Sequence, residues 1–435
     1  MKKNPGEKPS GNSKKKRKIS FVNDELSILL YHKYFRDGHK LLRPEKTENI
    51  LRRSLHYKVS TNNVENLERV VKSGTEPELF ALLQALERNP EITTDKATSL
   101  IALIGRSYFT DFALGRLLGS LVDDDNSWEE LLSNILKSKW SETNNKRLLE
   151  SLLKVAMLSN IDILSEEDIK KIAADKIETD LILAFSDYCS LFKKSSFLPY
   201  ISSLFAKISK NNPALGFFLE DNIYELDTNK VAKNCNNSSL FCQWLELSNF
   251  LKNTIDDSAT TVLQFMFYGD PSMSGKKNTG GLTTFLIALG NELAKKMNLI
   301  TIGVLPVVKP HVESMYEAIA EHHALLRIPL YIASSNQNEF IEKFSHVKRI
   351  ITRVLKLASL DRQIVHLRYS DHASLAATEA SKELNNKICF TVTTDPHIKM
   401  IDVEGKLANV DLETAGYMLS RLNAAEEIIK LSDRL

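Results

Sequence analysis

The sequence predicts two architectures in one chain: an α/β, Rossmann-like domain following an all-α, solenoid- or bundle-like N-terminal domain. Two observations carry this. Leucine-rich segments at helical spacing fill most of the first 255 residues, and from residue 261 nearly continuous apolar runs alternate with amphipathic stretches. The expected boundaries are a basic tail over residues 1–20, a helical domain over 21–255 and an α/β domain over 256–435.

A chain of 435 residues accommodates two or three domains. It contains no apolar run of about 18 residues, and no apolar segment follows its basic start as a signal peptide requires. The expected location is the cytoplasm. The tail explains the charge. Residues 1–18 hold eight basic side chains against Glu7, so the net charge of +2 hides a body of 49 basic and 54 acidic residues. That balance gives no support to nucleic-acid binding. The tail reads first as a solvated arm and second as a peripheral contact with an anionic membrane, which clustered cations favour.

In the helical part, TEPELFALLQALERNP sets the pattern. Leu79, Leu82, Leu83 and Leu86 share one face, Thr75 stands as N-cap and Pro90 closes the segment. TDKATSLIALIG, SWEELLSNILKS, NNKRLLESLLKVAMLSN, SEEDIKKIAADK and SSFLPYISSLFAKISKNNP follow with the same grammar. No repeat signature is visible, so the stack is expected to be irregular. Trp128, Trp140 and Trp244 are expected to pack rather than to anchor a partner. Cys189, Cys235, Cys242 and Cys389 have no CxxC spacing, which predicts reduced thiols and no zinc site.

The grammar changes at residues 261–268. TVLQFMFY is apolar almost throughout and runs into Gly-Asp-Pro, as a strand buried on both faces does. NTGGLTTFLIALGNELAKK then turns on a glycine pair into a helix with Leu282, Leu286, Leu289, Leu293 and Met297 on one side. LITIGVL reads as the second strand of a βαβ unit. Further on, residues 338–357 read as a long helix, 363–367 as a strand, 373–384 as a helix and 387–393 as a strand. His322 and His323 read as helix-surface residues. In a doubly wound sheet, ligands sit beyond the carboxyl ends of the strands, so the loops at 269–281, 368–372 and 393–399 are the ones to watch.

GDPSMSGKKNTGG is not a P-loop. Five residues separate Gly269 from Gly275, and Lys277 stands where a Ser or Thr would hold magnesium. Nor does it spell GxGxxG. What remains is a glycine turn at a helix start, where free N–H groups and the helix dipole favour an anion, with Lys276 nearby to add charge. The bland reading, a turn and nothing more, has equal weight on this stretch alone. His372 and His397 fall in strand-end loops, where an imidazole can hydrogen-bond a sugar or move a proton. For a lone loop histidine a structural role is the commoner one. No metal-ligand spacing exists.

Three segments in order, NTGGLTTFLIALGNELAKK, IVHLRYSDHASLAATEASKEL and ICFTVTTDPHIKM, resemble the N-terminal part of family-4 glycosyltransferases, retaining enzymes of GT-B fold. The resemblance covers residues 261–435 and implies the first half of a GT-B fold. It implies that Gly280 and Gly281 face the diphosphate of a nucleotide sugar, that catalytic His397 hydrogen-bonds the transferred sugar, and that Arg368, Tyr369 and Asp371 line the acceptor side. The family's short Thr-x-His is here Thr394-Asp395-Pro396-His397. The family also uses a second Rossmann-like domain, which this sequence lacks; the expectation is a truncated or split enzyme whose C-terminal domain comes from a second chain. No cofactor and no metal are implied. The expected activity is hexosyl transfer from a nucleotide sugar to an unidentified acceptor. The rival expectation is a non-catalytic helical scaffold with a degenerate sugar-nucleotide-binding domain, and a third is a dinucleotide-binding regulator.

Overall fold

The computed structural model describes residues 63–88, 92–168, 178–227, 239–256, 259–268, 281–310, 312–333, 337–392 and 410–435, with the isolated positions Ser54, Ile172, Asp270, Pro271 and Met400. The basic tail, Pro90, Cys235, and the site candidates Lys276, Gly280 and His397 lie outside the described residues.

Among the described residues, ten α-helices precede the sheet: α1 (Asn63–Ser73), α2 (Glu76–Glu87), α3 (Thr94–Ile101), α4 (Tyr108–Asp124), α5 (Ser127–Glu142), α6 (Lys146–Leu158), α7 (Thr179–Leu191), α8 (Leu198–Ile208), α9 (Pro213–Leu226) and α10 (Leu240–Lys252). Local chemistry starts them. Glu78 reaches back to accept from the Thr75 N–H at 3.0 Å and closes a capping box on α2. Ser107, Asn145, Asn212 and Ser239 cap α4, α6, α9 and α10 through their side-chain oxygens. Of the predicted helix over 165–176, the described part shows a 3-10 turn at Glu166–Asp168 and a helical Ile172. Trp140 and Trp244 are buried, the latter donating its indole N–H to Asp221 at 2.8 Å.

The α/β part runs β1 (Thr261–Phe265), α11 (Gly281–Leu293), β2 (Asn298–Pro306), β3 (Tyr316–Ala320), β4 (His323–Leu330), α12 (Gln337–Glu342), α13 (Phe344–Leu357), β5 (Ile364–Leu367), α14 (His372–Glu383), β6 (Lys387–Phe390) and α15 (Leu412–Leu431). The six strands lie in the order β3-β4-β2-β1-β5-β6, all parallel except β3. Leu263 of β1 is paired with Ile300 on one side and Val365 on the other, which makes β1 central. After α15 the chain reaches the outer side of β6, where Arg434 bridges Cys389 in parallel.

Right-handed crossovers decide the layers. The chain leaves β1 for β2 in one direction and returns from β4 to β5 in the other, so α11 and α13 lie on opposite faces. α14 packs beside α13, and α15 beside α14. β2 is buried along its whole length, as a strand covered on both faces must be. β5 and β6 differ: Val365, Leu367, Ile388 and Phe390 are buried, while Ile364 and Cys389 on the other face are partly exposed.

Three expectations are corrected. His322 and His323 do not ride on a helix: His322 turns the β3–β4 hairpin at φ +58, and His323 starts β4, fully buried. HALLRIPL misleads because an arginine and a proline sit inside an apolar run; Arg327 is tolerated there because Asp270 at 3.2 Å and Glu317 at 2.9 Å neutralise it. The long helix over 338–357 is two helices, broken at Lys343, whose ammonium donates to the Tyr331 carbonyl at 3.1 Å. Finally, Cys242 is disulfide-bonded, whereas Cys189 and Cys389 are free thiols.

The helical array packs on α12, α13, α14 and α15, and one continuous hydrophobic core runs from Leu67 to Ile428 across residue 256. Ion pairs rivet the join. Asp187 of α7 accepts from His346 Nδ1 at 2.9 Å and from Arg349 at 2.7 Å, and Arg116 of α4 joins Glu87 of α2 to Glu379 of α14. No helix among the described residues is long and apolar enough to cross a membrane.

Candidate functional site

The strand order reverses between β1 and β5, because the chain builds outwards from β1 through β2 and β4 and then returns to β1's other side. At such a point the loops leaving two adjacent strands diverge and open a crevice at their carboxyl ends. Residues 266–268 leave β1 there, with Asp270 and Pro271 beyond them, and residues 368–371 leave β5.

The loop after β1 is fixed at its root. Asp270 is buried in its pair with Arg327, and Pro271 lies over Gly303 of β2 so closely that a Cβ there would sit 2.9 Å from the proline ring. Gly303 is the residue that lets this loop fold back. Gly281, expected to face a diphosphate, is the first residue of α11. One turn on, Phe285 is half exposed, and the guanidinium of Arg368 stands 5.4 Å from its ring centre. This contact joins the start of α11 to the end of β5.

Arg368, Tyr369 and Asp371 lie together after β5, and Arg368 reaches Phe285 one turn into α11, but their exposure differs. Burial lowers the pKa of the Arg368 guanidinium from its ordinary value. Tyr369 meets Tyr268 edge to face at 5.1 Å. Asp371 is buried and caps α14, its Oδ1 accepting from the Ser374 N–H at 2.8 Å. Burial pushes its carboxyl up against the hydrogen bonds and the Arg421 charge that pull it down. Tyr268 faces it, and burial together with the Asp371 charge holds that phenol well above the ordinary tyrosine range. In the described arrangement, then, Asp371 is a helix cap and a buried neighbour of Tyr268, and its other oxygen is buried as well.

Three residues of this site were not singled out from the sequence. Tyr268 immediately precedes Gly-Asp-Pro and could have been found as the last residue of the apolar run. Phe285 breaks the leucine stripe of α11 by facing outward. Arg421 had no local signal: it lies on α15, buried, and donates Nε–H to the Ser370 carbonyl at 3.0 Å and Nη2–H to Ser370 Oγ at 3.3 Å. It thus holds the backbone of the β5 loop from a helix 51 residues away in sequence. Tyr417, one turn earlier on α15, packs against that guanidinium, and burial raises its pKa to about 12.

His372, expected as a loop histidine near the ligand, is the first residue of α14 and points the other way. Its ring lies edge-on to Phe112 of the helical array at 4.8 Å, and burial depresses its pKa to about 3. It is core. His366, by contrast, is on the open face of β5, with Nε2 3.0 Å from Thr391 Oγ1 and a pKa lowered to about 4 by burial and by Arg368. Among the described residues no group of three His, Cys, Asp or Glu side chains is arranged to hold a metal ion.

No protein-family model, no curated protein and no solved structure matches the chain.

Proposed function

We propose that the chain is a glycosyltransferase, or the N-terminal half or subunit of one, which moves a hexosyl group from a nucleotide sugar to an acceptor still to be identified. The observation that carries this reading is the meeting of the α11 start with the β5 loop at the point where the strand order reverses, seen in the Arg368–Phe285 contact. A crevice there offers the free N–H groups of a helix N-terminus and a guanidinium, which together suit a diphosphate. Tyr369 offers a hydrogen bond to a sugar hydroxyl, with Asp371 buried behind it capping α14. His397 is assigned the contact to the transferred sugar, and Gly280, Gly281 and Lys276 the approach to the diphosphate.

Chemically, departure of a nucleoside diphosphate leaves positive charge on the sugar and negative charge on the leaving oxygens. Arg368 and the α11 N-terminus act on the second of these, stabilising charge that grows in the transition state. The first needs a closed, dry cleft, and so a second Rossmann-like domain across from this one. The nucleotide sugar, an acceptor and that domain are the partners proposed. The protein is assigned to the cytoplasm, and the membrane contact of the basic tail is kept as a secondary proposal.

The test is release of nucleoside diphosphate from a panel of uridine, guanosine and adenosine diphosphate sugars, with the chain alone and with the protein encoded directly downstream. Turnover lost by about tenfold or more on Arg368→Ala, where a charge-assisted contact to the donor goes, fits the reading. No turnover and no calorimetric binding of any donor in either format sinks it in favour of the scaffold.

A further inference from the structure

The described cysteines meet three different surroundings. Cys242 is disulfide-bonded, and Cys189 is sealed in the core, where burial pushes its thiol well up. Cys389 is a free thiol and partly exposed. It stands in β6 on the face turned away from the buried Ile388 and Phe390.

Backbone pairing fixes what surrounds it. Partners in neighbouring parallel strands put their side chains on the same face of the sheet, and Cys389 has one on each side: His366 of β5 and, at the outer edge, Arg434. The outer pairing is held by the Phe390 N–H on the Arg434 carbonyl at 2.9 Å and the Arg434 N–H on the Ile388 carbonyl at 3.1 Å. Along β6 the same face carries Lys387 and Thr391, and the 3.0 Å contact of Thr391 with His366 bears out the alternation. Arg368, two residues beyond His366, lies within electrostatic reach of the thiol.

Three cations therefore stand around one nucleophile. Lys387 and Arg434 are exposed, and neither has an ion-pair partner among the described residues. Asp433 does not neutralise them, because the Lys382 ammonium at 2.7 Å and the Ile388 N–H at 2.7 Å take it up. With that pair counted as neutral, setting the Leu435 carboxylate against the three cations leaves an excess of two. His366, its pKa lowered to about 4 by burial and by Arg368, adds no charge near neutral pH. Partly exposed thiols in electropositive surroundings are the ones that react, whereas buried ones are inert.

We propose that Cys389 forms mixed disulfides with small anionic thiols of the glutathione type, the carboxylates of the incoming disulfide being met by Arg434, Lys387 and Arg368. The Cys389 thiolate attacks one sulfur of that disulfide; its S–S bond breaks as a new one forms to Sγ, and the departing thiolate takes up the proton that Cys389 gave up. The disulfide is itself the oxidant. This goes beyond the glycosyltransferase reading and is independent of it, since the reaction is followed with no sugar donor present.

The experiment exposes the full chain, near neutral pH and at low ionic strength, to three disulfides of different charge: anionic oxidised glutathione, neutral hydroxyethyl disulfide and dicationic cystamine. Mass spectrometry of the peptides locates and times the adduct, and each rate is divided by that of the same disulfide with N-acetylcysteine amide, which cancels intrinsic differences. The adduct is expected on Cys389 and not on Cys189, with glutathione favoured over cystamine by about tenfold and the preference shrinking at high salt. Lys387→Ala and Arg434→Ala, both at exposed positions, should keep the melting temperature and each cut the preference by about two- to threefold. No adduct on Cys389, cystamine reacting as fast as glutathione, or a preference that neither substitution moves overturns the proposal.

Discussion

At Gly290 helix α11 comes so close to the sheet that a Cβ would stand 2.5 Å from the His323 ring and 2.5 Å from the Leu299 side chain. The histidine cannot give way, since Thr301 at 2.9 Å and Asn291 at 2.7 Å hold its two nitrogens. Gly290→Ala should therefore destabilise the fold by about 1–3 kcal/mol, the usual cost of overpacking, and urea unfolding would measure it. An unchanged midpoint would mean that α11 sits farther from β4. Nothing in the sequence marks Gly290 as different from a glycine tolerated in a helix. Asp371 teaches the converse: Asp-His-Ala-Ser before a helical run carries an N-cap signature, and the cap takes up one of the oxygens that the family resemblance assigned to a ligand.

Among the elements, α13 does the most to join the two parts of the chain. Its apolar positions face the sheet side, and its basic ones meet Asp187, Asp221 and Glu225 on α7 and α9. Asp187 is the keystone. Burial raises its carboxyl, but His346 and Arg349 outweigh that and hold it below the usual carboxylate range. His346 gives its Nδ1 proton to Asp187 and accepts the Tyr331 N–H on Nε2, so the neutral ring is fully used. Asp187→Ala would leave a buried guanidinium half paired and should cost about 3–5 kcal/mol in denaturant unfolding. Asp187→Asn, which keeps an acceptor but no charge, should fall between that variant and the parent. A cost near zero for Asp187→Ala would remove the ion pairs from the account of how the array is held. The sequence showed α13 as an amphipathic helix; it did not show that the polar face also had partners, because those lie more than 120 residues away.

For the molecule as a whole, the buried histidines and the half-buried His366 set the response to acid. His323 and His366 have pKa values lowered to about 4, His372 to about 3, and His346 is lowered as well, in each case by burial first. In the unfolded chain they titrate near 6.5, so between that value and their folded values the unfolded state binds more protons. The stability they contribute is complete above about pH 6.5 and is lost as pH falls towards 4. The melting temperature should accordingly drop steadily from neutral pH to pH ~5, and His372→Phe, which fills the same apolar site without a proton to take up, should flatten that drop. A melting temperature independent of pH over that interval would contradict the burial of these rings. The same burial reflects the single core, which spans the expected domain boundary.

The sequence by itself determined the kinds of element and their order: apolar runs that became β1 and β2, leucine stripes that became helices, and the change of grammar after residue 255. These are local signals, written in spacing over a few residues. It missed β3 and β4, because a buried Arg327 looks like a surface residue until Asp270 and Glu317 are brought beside it. Only the tertiary structure decided which histidines are core, that Arg421 holds the β5 loop, and that α13 is neutralised by helices from the first half of the chain. The physical reason is common to all three. A charge or an imidazole has no fixed preference for inside or outside; its partners decide, and partners that are distant in sequence leave no local pattern to read.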